Sequence, residues 1–279
     1  MTVILATVCA VVYGTADFFG GLATRRSQVF SVVLLSQTAG LALIVGLLPL
    51  LPGTFSGAAL SWGLAAGLSG AAGLVLFYRA LATGVMSVVA PTTAVTSAAL
   101  PVVFGLATGE RPAFWALVGV ALALGSVLLV SQDRSADGRG SLASVLAALA
   151  AGAGFGGFFI LLAQAPHEAG LWPLVGARLS SVSTVALLAV VTRRALKPGP
   201  KSLHIIVAAG LLDMAANVLF LLAQQGGLLS LVAVLVSLYP ASTLLLARHV
   251  LGERLRAIQV AGVGCALGAV ALIAVAQPL

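Results

Sequence analysis

The sequence is a succession of long apolar stretches separated by short clusters of charge, proline and glycine. A helix crosses about 30 Å of hydrocarbon with about 20 predominantly apolar residues. Ten stretches approach or exceed that length, at residues 2–22, 29–51, 58–82, 85–108, 113–131, 141–164, 171–192, 203–225, 228–251 and 257–276. The runs are continuous, whereas barrel strands would alternate apolar and polar positions, so the elements predicted are helices. Connections as short as Thr83-Gly84 and Gly226-Gly227 force antiparallel neighbours, and 132–140 and 192–201 are the only polar linkers of note. The expected fold class is an all-α membrane protein of ten transmembrane helices.

Composition agrees: 61% of the residues are hydrophobic and 8% are charged, against about 25% charged in an ordinary soluble domain. A globule in water could not cover itself with so few charges. The start, MTVILATVCAVVYG, lacks a positively charged leader and reads as a first span that stays in place. Cys9 and Cys265 lie in apolar runs and read as buried thiols, with no disulfide or metal motif behind them.

Charge then orients the chain. With ten spans, Arg25, Arg26, Arg79, Arg134, Arg139, Arg193, Arg194, Lys197, Lys201, Arg248, Arg254 and Arg256 fall on one side, Arg111 on the other and Arg178 inside the seventh span. Basic loops stay in the cytoplasm. The expectation is therefore a multi-pass protein of the cytoplasmic (inner) membrane with both termini outside. No basic, aromatic-interleaved patch points to nucleic acid.

The chain also repeats. Sliding residues 77–131 over 220–274, a shift of 143, gives 17 identities in 55 positions, among them Gly109, Glu110 and Arg111 over Gly252, Glu253 and Arg254. YGTADFF at 13–19 echoes AGFGGFF at 153–159. Each half then holds five spans, 1–137 and 138–279. Five is odd, so the second half would be inverted relative to the first, with a site near the membrane midplane between them. In the GER turns, glycine ends the incoming helix in a left-handed conformation. Glutamate meets the dipole of the next helix in its first turn, and arginine reaches the headgroups. A gating or coupling role for these turns is the alternative.

These features, and above all YPASTLLLARHVLGERLRAIQVAG at 239–262, resemble the EamA branch of the drug/metabolite transporter superfamily. The first half departs from that pattern: Ser97 stands where Pro240 does, and the proline follows one turn later at Pro101. The resemblance implies transport of small polar or amphipathic metabolites, frequently export driven by an ion gradient. It does not imply a particular substrate, and sidedness is taken from the charges of this chain instead.

Ionisable groups inside spans are costly and mark function by default. Three qualify: Asp17, Arg178 and Asp213. Asp213 lies about ten residues, or ~15 Å, into its span. Asn217 and Gln224 continue its face at i+4 and i+11. Arg178 falls at a similar depth, so the two can pair: Asp213 binds substrate or proton and Arg178 a substrate anion, or the pair only fixes helix packing. Asp17, one turn after Tyr13, is a further candidate or is solvated or paired with Arg25. Pro91, Pro101 and Pro240 free the carbonyls of Ser87, Ser97 and Val236. Thr93, Ser97, Ser237 and Tyr239 would line the breaks, or their hydroxyls bond back to helix carbonyls.

His167, His204 and His249 are too scattered for a metal site, and no phosphate-binding loop is present, so no cofactor is expected. The leading expectation is a secondary active transporter for a small molecule, coupled to protons or sodium, working by alternating access as a monomer or homodimer. A passive channel is the alternative. An intramembrane enzyme lacks a converging nucleophile, base or metal.

Overall fold

A computed structural model describes residues 1–24, 26–51, 53–83, 86–130, 142–193, 199, 202–251 and 256–276. The expected elements are present as helices α1 (Thr2–Thr24), α2 (Val29–Leu47), α3 (Gly57–Thr83), α4 (Met86–Ala107), α5 (Phe114–Val130), α6 (Leu142–Ala163), α7 (Trp172–Val191), α8 (Leu203–Gln225), α9 (Leu229–Val236), α10 (Tyr239–Leu251) and α11 (Ala257–Ala276). No strand occurs among the described residues. By length and composition, eight stretches are able to cross a membrane, the α9–α10 pair counting as one, and 92–107 and 114–129 are shorter apolar helices.

Two departures from the expected spans have local causes. The second helix stops at Leu47 rather than running to 51, because Pro49 cannot continue the hydrogen-bond ladder. The ninth span is not one helix. It breaks at Ser237 and Leu238, between α9 and α10, immediately before Pro240. Pro91 and Pro101, by contrast, sit inside an uninterrupted α4.

The helices pair as α1 with α8, α3 with α6 and α7, α2 with α7 and α8, α4 with α6, α1 with α10, and α5 with α11. In lipid there is no water to expel, so close approach of small residues drives this packing. Gly14 is one such point. A Cβ there would meet the Tyr239 carbonyl at 2.5 Å and the Thr243 amide at 2.9 Å, so α1 lies directly against the start of α10. Thr243 Oγ1 donates to the Gly14 carbonyl across that contact at 3.0 Å.

One end of the bundle carries Thr2, the α2–α3, α4–α5 and α6–α7 connections, and the α8–α9 turn; this end is the terminal face. The other carries Arg26, Arg193, Arg248 and Arg256 and is the basic face. On the terminal face the connections are tied together. Thr54 N–H donates to the Glu168 carbonyl at 2.9 Å, and the Phe55 ring stands edge-on to Trp172, centroids 4.9 Å apart. Below them lies the main hydrophobic core, including Ala6, Cys9, Val102, Leu162, Phe220 and the Leu and Val residues of α9.

Candidate functional site

A cavity of about 680 Å³ lies between the helices and runs toward the basic face. Its walls come from every helix except α5, α9 and α11. The polar wall is built on α2, α7 and α8. Arg178, 7% exposed, donates through Nη2 to Asp213 Oδ2 and through Nη1 to Gln37 Oε1. Ser181 Oγ also donates to Gln37 Oε1, at 3.0 Å, and to the Arg178 carbonyl at 3.3 Å. The guanidinium is thus held from two sides, within a close approach of α2 to α8: a Cβ on Gly40 would meet the Gly210 carbonyl at 3.2 Å and Arg178 Nε at 3.5 Å.

Asp213 is less enclosed than its partner, its side chain being 31% exposed. One turn on, Asn217 Nδ2 donates to the Asp213 carbonyl at 2.8 Å. That bond fixes the amide, since flipping it would set oxygen against oxygen. Asn217 Oδ1 is buried and has no hydrogen-bond partner. A buried acceptor left without a donor costs about 1–3 kcal/mol.

Asp17 lines the same cavity nearer the basic face and is exposed. Arg25, its expected alternative partner, lies outside the described residues. Among the described residues, Arg178–Asp213 is the one ion pair. Among the described residues, the cavity therefore sets two carboxylates, Asp17 and Asp213, against one guanidinium, which Asp213 already engages.

The apolar wall is aromatic. Tyr13 packs against Tyr239, centroids 6.3 Å apart, and edge-on to Phe159 at 6.4 Å. Phe158 and Phe159 stand edge to face at 5.4 Å, and Phe77 meets Phe155 at 6.3 Å. Such faces attract cations, by ~0.5–2 kcal/mol each.

Of the other candidates, Thr93, Ser97, Tyr239 and Pro240 line the cavity. The hydroxyls of Thr93 and Ser97 bond to the carbonyls of Ala148 (3.1 Å) and Ala94 (2.9 Å). The Ser97 carbonyl, which Pro101 frees, lies against α6, where a Cβ on Gly156 would meet it at 3.0 Å. Ser237 is buried with its hydroxyl bonded to the Val234 carbonyl at 2.7 Å, and it does not line the cavity. Val236 is 1% exposed and so does not face lipid. Gln224 is not among the lining residues; it sits near the terminal end of α8. Pro91 belongs to α4, its side chain outside the described residues, as are Gly252 and Glu253 altogether.

Gly109 adopts φ +98° and closes α4 with a Schellman turn, Glu110 N–H donating to the Gly105 carbonyl at 2.9 Å and Gly109 N–H to Leu106 at 3.2 Å. Glu110 departs from the expected role. It precedes α5 by a full turn rather than lying in it, and its carboxylate accepts from the backbone N–H groups of Leu229 (2.7 Å) and Ser230 (3.0 Å) at the start of α9.

Sequence reasoning passes over Gln37, Ser181, Thr243 and the phenylalanines of α6. Gln37 carries a usable signal, a glutamine in the middle of an apolar span. The phenylalanines do not, because an apolar residue in an apolar run gives no sign of the direction it faces.

A helical bundle of membrane-spanning length around a polar-and-aromatic cavity is the build of a membrane transporter. Residues 142–275 match the model of the EamA-like transporter family. No curated protein matches the sequence. A solved structure described as "Crystal structure of protein" shares the fold, with TM-score 0.80 over 99% of this chain and 99% of that one at 18% identity.

Proposed function

We propose that the protein is a secondary active transporter that exports a small amphipathic, amine-bearing metabolite in exchange for protons by alternating access. The observation that carries the substrate class is the charge balance of the cavity. Arg178 is occupied by Asp213 and Gln37, so the accessible polar groups are the carboxylates of Asp17 and Asp213. Both accept hydrogen bonds, and an ammonium group supplies donors. The rings of Tyr13, Tyr239, Phe158 and Phe159 suit the cation and its apolar body.

Packing supports the duplicated reading of 1–137 and 138–279. Exchanging the halves maps α1 on α8 to α6 on α3, and α2 on α8 to α7 on α3, while α2–α7 and α5–α11 map onto themselves; all of these pairs are present. On the positive-inside rule the basic face is cytoplasmic, which makes the cavity inward-facing and puts both termini outside. Coupling follows if a proton and the ammonium compete for Asp213.

Ethidium, an aromatic cation, serves as the probe. Proteoliposomes carrying the protein should accumulate it against a concentration gradient when a pH gradient is imposed, and lose it on adding a protonophore. Asp213→Asn should abolish the pH-driven part while the protein stays folded. Flux that only equilibrates ethidium would favour a passive channel; a pH response unaltered by Asp213→Asn would shift coupling to Asp17.

A further inference from the structure

The terminal face is closed by α9, an eight-residue helix with every residue buried. Such a helix has four backbone N–H groups at its start with no partner inside it. The residue before it, Leu228, makes no side-chain cap. Ser230 Oγ is itself buried and without a hydrogen bond. The cap comes from 119 residues away: both carboxylate oxygens of Glu110 are engaged, one by Leu229 N–H at 2.7 Å and one by Ser230 N–H at 3.0 Å. A negative charge is favoured there by the helix dipole as well.

Glu110 is held to this task from its own side. The Schellman turn at Gly109 aims the chain back over α4, and the carboxylate lies on Gly105, where a Cβ would come within 2.7 Å of its carboxyl carbon. At its other end α9 is not continuous with α10, because Ser237 and Leu238 interrupt the helix. Thus α9 is a short rigid block, pinned at its terminal-face end by one side chain and jointed at its inner end to the helix that carries Tyr239 and Pro240 of the cavity.

We infer that Glu110 is the latch of the terminal-face gate. With the cavity open toward the basic face, it clamps the α4–α5 turn to α9 and keeps the terminal face shut. Opening that face requires the two N–H bonds to be given up, so their strength sets the balance between the two access states. The latch rests on the alternating-access reading, but its test requires no substrate and no flux.

The test uses two cysteine reporters in lipid nanodiscs, where a soluble maleimide reaches both faces, with Cys9 and Cys265 replaced by alanine. Val232→Cys in α9 reports opening of the terminal face, and Leu74→Cys reports access from the basic face. Glu110→Gln keeps the size but turns one acceptor into a donor facing an N–H. Labelling at 232 should rise about fivefold, as expected for loss of a helix cap, and labelling at 74 should fall. Gly105→Ala, which pushes the carboxylate aside without touching its charge, should act in the same direction. Glu110→Asp, too short to reach, should do so if the glutamine variant folds poorly.

Opposed changes at the two reporters identify a switch. If both rise together, Glu110 only holds the fold and the latch is overturned. Unchanged labelling at both positions overturns it equally. The transport reading fails separately, if wild-type protein neither accumulates ethidium nor releases it with a protonophore.

Discussion

Around Asp213 the helices stand apart and line a space with charge, amide and aromatic faces; around α9 the same bundle is filled with Leu, Val and Ala and crossed by a single carboxylate. Both regions lie in a chain that is apolar almost throughout, so hydropathy does not separate them. What separates them is where polar atoms find partners. Around the cavity, Asn217 Oδ1 is left without one and Asp17 is exposed. Around α9, the backbone N–H groups of Leu229 and Ser230 are capped by Glu110, while Ser230 Oγ is left without a partner.

The largest effect expected is at the ion pair. Arg178→Ala leaves a carboxylate facing the bundle without its cation, and breaking a buried pair from one side costs about 3–5 kcal/mol. The loss is measured as the shift in denaturant-induced unfolding of purified protein. A loss below about 1 kcal/mol would show that the pair is as well solvated as the exposed part of the cavity and would erase the contrast between the two regions.

That pair is legible in the sequence, because an Asp and an Arg inside apolar spans have few reasons to be there and their depths agree. The helices are legible for a related reason, as lengths of apolar chain between charges. The partner of Glu110 is not. Local rules assign a glutamate after a helix-ending glycine to the next helix along the chain, and nothing in GER marks a backbone 119 residues away. The break before Pro240 is half legible: proline at this position signals an interruption, whereas Pro91 and Pro101 leave α4 unbroken.

Next in size is a test of filling. Leu235 is 1% exposed in α9, and Leu235→Ala should cost about 2–5 kcal/mol by opening a void in a packed region. Leu74 lines the cavity, so its truncation enlarges a space that already exists and should cost under about 1 kcal/mol. Equal losses in thermal unfolding would mean that the cavity is not open in the folded protein.

Asp213→Asn is expected to be milder in stability than in function. The amide oxygen still accepts from the charged Arg178 guanidinium, so the change from an ion pair to a charge–dipole bond costs about 1–2 kcal/mol. Ethidium flux driven by pH should nevertheless disappear. A variant that loses its fold before its coupling would place Asp213 with the packing residues rather than with the cavity.

The smallest effect sharpens the comparison most finely. Ser181 Oγ donates to Gln37 Oε1 at 3.0 Å and to the carbonyl of Arg178 at 3.3 Å, so it supports the guanidinium without touching it through a side-chain bond. Hydrogen bonds between membrane helices average about 0.6 kcal/mol, and Ser181→Ala should lose about that much. Gln37 Oε1 still receives Arg178 Nη1 in the variant, so no acceptor is orphaned. Gln37→Leu differs: it strips the guanidinium of one of its two acceptors and leaves Asp213 to hold it alone. Unfolding free energies should therefore rank wild type, then Ser181→Ala, then Gln37→Leu, with Gln37→Leu also weakening ethidium binding as Arg178 turns further onto Asp213 and withdraws its carboxylate from the cavity. If Ser181→Ala were the more damaging of the two, the hydroxyl and not the amide would be what holds Arg178 away from the substrate.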